Sequence, residues 1–98
     1  MYRARFPLLL IDAFQITLEA RLDNAHWPGW LHRAWNKRRT EIGAVWPSKG
    51  GTRDLLHVRT YQGPQAVPWD HYLMRNSVDG ALYVADRETF EALFEKVS

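Results

Sequence analysis

At 98 residues, with 46% hydrophobic and 24% charged side chains, the chain has room for one domain with one modest core. It contains no cysteine, which excludes disulfides, thiolate metal sites and thiol catalysis and fits a reducing cytoplasm. A net charge of +2 argues against an acidic DNA mimic and gives only a weak overall drive toward phosphates.

The run Pro7-Leu8-Leu9-Leu10-Ile11 is too short to span a bilayer, which takes about 20 apolar residues, and no small-residue cleavage site follows it. No membrane partner is expected, and the expected location is cytoplasmic. From Leu8 to Thr17 the chain reads as a strand, with Leu9, Ile11 and Ala13 on one face and Leu10, Phe14 and Ile16 on the other. Apolar residues on both faces place it near the middle of the fold. Residues Arg21 to Ala25 are polar and lead into a helix. Pro28 suits that helix's first turn, where a missing N–H is no loss. The helix is predicted to run to about Lys37, with Trp27, Leu31 and either Ala34 or Trp35 on its inner stripe.

Ile42 to Trp46 reads as a short extended segment, and Pro47 to Thr52 as a loop. Leu55 to Tyr61 is a strand, turned by Gln62-Gly63-Pro64 into Gln65 to Val67. Trp69 to Asn76 is another strand, and Asp79-Gly80 signals a two-residue hairpin turn, since Gly supplies positive φ without a steric penalty. Phe90, Leu93, Phe94 and Val97 have the i, i+3, i+4, i+7 spacing of a helical stripe and predict a helix that ends the chain. Asp86 is its expected N-cap, with Glu88 in the first turn. The order β-α-β-β-β-β-β-α predicts an α+β fold: a small, mostly antiparallel sheet with two covering helices, one of them C-terminal.

Five segments, in order along nearly the whole chain, resemble a family of small phage and prophage proteins of unknown function that carry a Pro-Gly-Asp-Tyr-Gly-type motif. They are Ile11-Asp12-Ala13-Phe14-Gln15, Pro28-Gly29-Trp30-Leu31, Leu56 through Gly63, Trp69 through Arg75 with Gly80-Ala81-Leu82-Tyr83, and Phe90 through Val97. The chain departs from that family by Trp69 in place of Gly and by an extra residue, His71, before Tyr72. The turn before this strand is therefore expected to be reshaped. The resemblance implies phage origin and a compact α+β fold, and no particular activity.

The chemistry-bearing residues form no catalytic pattern. Asp70 and His71 are adjacent, so in a strand they point to opposite faces, and Asp70 reads as a turn residue. His26, His32 and His57 lack metal-pair spacing. Ser48, Ser77 and Ser98 lack a nucleophile elbow, and Lys49-Gly50-Gly51-Thr52 lacks the spacing of a phosphate-binding loop. No catalytic residue, metal or cofactor is expected.

A basic–aromatic cluster, Trp30, Arg33, Trp35, Lys37, Arg38 and Arg39, is the candidate partner-binding site. Arg33 and Lys37 are i, i+4 neighbours on a helix. A basic face beside an exposed Trp suits phosphates and bases, or an acidic protein surface. Its structural alternative is a solvated face with cations suited to a helix C-terminus. Five tryptophans are more indole than so small a chain hides easily, so at least one is expected at a contact surface. Trp27 and Trp30 are expected against the sheet, and Trp46 and Trp69 at its ends. Three readings follow: a phage-encoded binding protein that blocks a host protein complex, as an anti-CRISPR-type inhibitor does; a nucleic-acid or nucleotide-ligand module; or a phage assembly component that forms homo-oligomers.

Overall fold

The computed structural model describes residues 2–4, 10–49, 54–76 and 79–96. In chain order its elements are β1 (Tyr2–Ala4), β2 (Leu10–Gln15), α1 (Leu18–Leu22), α2 (Gly29–Trp35), β3 (Val45–Pro47), β4 (Leu56–Thr60), β5 (Gly63–Val67), β6 (Tyr72–Arg75), β7 (Leu82–Ala85), α3 (Arg87–Leu93) and β8 (Phe94–Lys96). Two antiparallel sheets result, one ordered β7-β6-β2-β1-β8 and the other β3-β4-β5. The α+β class holds, with two sheets and three helices among the described residues rather than one sheet and two helices.

β2 takes the central position that its two apolar faces required. It pairs with β1 through Tyr2↔Ile11 and with β6 through Phe14↔Leu73. The expected start of this strand at Leu8 and Leu9 lies outside the described residues. At its end, the Thr17 hydroxyl accepts a hydrogen bond from the Ala20 N–H (3.1 Å) and caps α1, a helix absent from the polar-approach reading. Trp27 fastens α1 from the other side, its indole N–H donating to the Ala20 carbonyl at 2.7 Å.

Pro28 stands at the N-cap of α2, one position earlier than expected. Leu31 and Ala34 are buried and Trp35 faces outward, which settles the inner stripe in favour of Ala34. The helix ends at Trp35 rather than Lys37. The core joins Ile16, Trp27, Leu31 and Ala34 to Val45, Leu56, Val58 and Val67 of the small sheet and to Leu73 and Leu82 of the large one. Each of the Val, Leu and Ile side chains among them contributes roughly 1.5–3 kcal/mol by leaving water.

The turn before β6 is built on Asp70, whose φ is 67°. Its N–H donates to the Ile16 carbonyl (2.8 Å) and its own carbonyl accepts from the Gln15 side chain (3.0 Å), pinning the turn to the end of β2. The β6–β7 connection between the paired Arg75 and Leu82 is six residues long, not a two-residue hairpin. Gly80 does hold the positive φ expected of it, at +75°.

The largest departure is at the end of the chain. α3 starts as expected, with the Asp86 carboxylate accepting from the Thr89 N–H at 3.2 Å, but it stops at Leu93. Phe94 turns extended and begins β8, which pairs with β1 through Tyr2↔Lys96, Arg3↔Glu95 and Ala4↔Phe94. An open strand edge presents backbone groups that another strand satisfies, and that pairing replaces one more helical turn. Leu93 is left 52% exposed, whereas Phe94 still stacks on Phe90 at 4.6 Å from its new strand position. Val97 lies outside the described residues.

Candidate functional site

The six residues of the candidate cluster do not share one face. A turn follows α2, closed by Glu41 N–H to the Arg38 carbonyl (2.9 Å) and Ala44 N–H to the Glu41 carbonyl (3.1 Å). It carries Arg38 and Arg39 off the helical surface and divides the cluster into three environments.

The first surrounds Trp35, which is 38% exposed. Trp27 meets its ring edge-on at 5.7 Å, and the Arg21 guanidinium lies 5.6 Å from its centroid. Arg21 is itself buried, and that burial lowers its pKa while the charge of Asp54 opposes the shift. The exposed indole is thus held in place by its neighbours.

The second surrounds Trp46. It sits in β3, an edge strand of its sheet, directly across from His57 of β4 and on the sheet face opposite Leu56, Val58 and Thr60. The His57 ring stacks beside it at 6.0 Å. The guanidinium groups of Arg39 and Arg59 lie 5.7 and 5.9 Å from the indole centroid. The Arg59 Nε–H also donates to the Arg39 carbonyl at 2.9 Å, tying the turn after α2 to β4. Arg38 is exposed alongside this turn.

The third is a recess of about 110 Å³ lined by Trp30, Arg33, Lys37 and Arg75 together with Gly43 and Gly80. The Lys37 ammonium donates to the Ile42 carbonyl at 3.3 Å. Gly43 has φ +86°, and a Cβ there would stand 3.0 Å from the Gly80 carbonyl oxygen and 3.2 Å from the Lys37 Nζ. Only glycine lets the two loops and the ammonium meet. Arg33 and Lys37 therefore line one recess, although the helix stops short of Lys37.

Arg21, Trp46, His57, Arg59 and Arg75 were missing from the candidate cluster. One signal, for Arg59, is the distribution of charge. Between residues 33 and 59 lie seven basic and two acidic residues, a local +5, whereas residues 60–98 carry three basic and six acidic, a local −3. The other is alternation: His57 and Arg59 flank the apolar Val58 at strand period, which puts both on the face away from the core.

Among the described residues no three His, Asp or Glu side chains converge as metal ligands, and no helix is long and apolar enough to cross a membrane. No protein-family model, curated protein or solved structure matches the chain. The likeness to small phage proteins accordingly rests on the sequence motifs alone.

Proposed function

We propose that the chain is a small phage-encoded binding protein, not an enzyme, that blocks a host defence complex of the CRISPR type by docking on an acidic protein surface. The observation that carries this reading is Trp35, an exposed indole fixed between the Trp27 edge and the Arg21 guanidinium. Trp and Arg are the residues on which protein interfaces most often depend, and a side chain already held in place loses little freedom on binding. Arg38 and Arg39, in the turn after α2, add positive charge suited to an acidic partner. The shared motifs support phage origin.

Tagged protein used to capture partners from host lysate, with and without nuclease, tests the reading. One host complex retained after nuclease, and lost with Trp35→Ala and with Arg38→Glu/Arg39→Glu, is the expected result. Capture that disappears with nuclease favours nucleic acid as the partner instead. The observation behind that second reading is Trp46, an indole between two arginines on a sheet face, the chemistry of a single-strand stacking platform. A steep loss of binding with salt would accompany it.

A further inference from the structure

The recess containing Arg33 and Lys37 does not stand alone. Trp30 also lines a second, larger recess of about 360 Å³, together with Asp12, Phe14, His26 and Lys96 and the edge of Tyr2. The Asp12–Arg75 ion pair, 3.3 Å long, joins the two: Asp12 lines the larger recess and Arg75 the smaller. One wall is thus shared, and the lining changes across it from rings with charges of both signs to three cations.

We propose that these joined recesses bind a nucleotide, with the base against Trp30 and Phe14 and the phosphate between Arg33 and Lys37. The charges agree. Three cations and no carboxylate line the smaller recess, and Asp12 neutralises Arg75, leaving two positive charges for a phosphomonoester that carries about −1.5 to −2 at pH 7. The volumes agree too. The smaller recess, at about 110 Å³, has less than a third of the volume of the larger, and the phosphate, the smaller part of a nucleotide, is assigned to it. The larger one offers the Trp30 and Phe14 rings for stacking. Between them the Asp12–Arg75 pair supplies both an acceptor and a donor where the hydroxyl-bearing sugar lies. A phosphotyrosine has no polar spacer between ring and phosphate and leaves that pair without a partner. The proposal is independent of the protein-docking surface, because Trp35, Arg38 and Arg39 line neither recess.

Titration of ¹⁵N-labelled protein with adenosine monophosphate, followed by amide and indole N–H signals, tests it. The expected result is a saturable shift of the Trp30 indole signal, assigned through Trp30→Phe, while the Trp35 and Trp46 indoles stay in place. Arg33→Glu, at an exposed position, weakens binding about tenfold or more with an unchanged melting temperature, and Arg87→Gln on α3 changes nothing. Inorganic phosphate binding as tightly as the nucleotide means an adventitious ion only and overturns the proposal. Adenosine binding equally well overturns the phosphate assignment. Absence of saturable shifts at millimolar nucleotide, or shifts only with a single-stranded oligonucleotide and centred on Trp46, overturns the proposal entirely. Host-complex capture by the Arg33→Glu variant separates failure here from failure of the docking reading.

Discussion

Two aromatic clusters in this molecule use their rings in opposite ways. Around α3, Tyr2, Tyr72, Phe90 and Phe94 pack on one another, with Tyr72 and Phe90 stacked at 4.0 Å and Tyr2 edge-on to both. The acidic groups nearby are committed to structure as well. Asp86 caps α3, and Glu91 accepts the Tyr72 hydroxyl at 2.8 Å. Around α2 and β3 the tryptophans meet cations instead, Arg21 over Trp35 and Arg39 and Arg59 over Trp46. Ring-on-ring packing removes aromatic surface from water. A guanidinium positions a ring and leaves the assembly accessible, which suits a surface that meets a partner.

The sharpest way to break this contrast is to truncate one ring on each side. Phe90→Ala is expected to cost about 3–5 kcal/mol in urea unfolding, since its side chain is fully buried. Trp35→Ala is expected to cost about 1 kcal/mol or less while abolishing partner capture. Comparable losses for the two would erase the distinction between a structural and an accessible cluster.

Tyr72 sharpens the structural half. Removing its hydroxyl in Tyr72→Phe is expected to cost about 1 kcal/mol, read from the same urea curves. Burial, then the hydrogen bond to Glu91, raises the phenol's pKa above the ordinary tyrosine value of 10.0. The folded state therefore keeps a proton that the unfolded state releases. Stability from this group is complete below about pH 10 and falls as pH rises from there. The alkaline slope of the melting temperature should be shallower in Tyr72→Phe than in the parent.

At the acid end the sign reverses. The Asp86 carboxyl is held below its usual pKa, first by the hydrogen bonding of Thr89. Its stabilising effect is present above the ordinary carboxylate range and lost as pH falls through the lowered value. In Asp86→Asn, melting temperature should depend less on pH in that window. The smallest effect on folding is expected from Arg38→Glu/Arg39→Glu, under about 1 kcal/mol by thermal denaturation, because only the exposed Arg39–Trp46 contact is lost.

Local signals in the sequence were read well. The Asp86 cap, the two-faced central strand, the buried Leu31 stripe and the positive φ at Gly80 all depend on neighbours a few residues away. Thr17 was an equally local cap signal, but the polar residues after it masked a five-residue helix. What escaped depends on distant partners. Phe94 satisfies helical spacing as well as it satisfies a strand, and the choice is made by β1 at the other end of the sequence. The basic cluster was placed by assuming that α2 continues through Lys37. One turn at Arg38 to Glu41 invalidated the shared face and sent Arg39 to Trp46.

The β1–β8 pairing also sets an order of events during synthesis. β1 leaves the ribosome about ninety residues ahead of its partner, and its outer edge waits for residues 94–96, roughly 5–20 seconds at ordinary elongation rates. Until then the large sheet can hold at most four of its five strands, and the Tyr2 ring lacks the Phe90 contact that packs it. The five-stranded sheet is thus completed only once the whole stretch from Tyr2 to Lys96 has been translated, and a chain halted before Phe94 leaves β1 as an open edge, the kind of surface on which nascent chains associate.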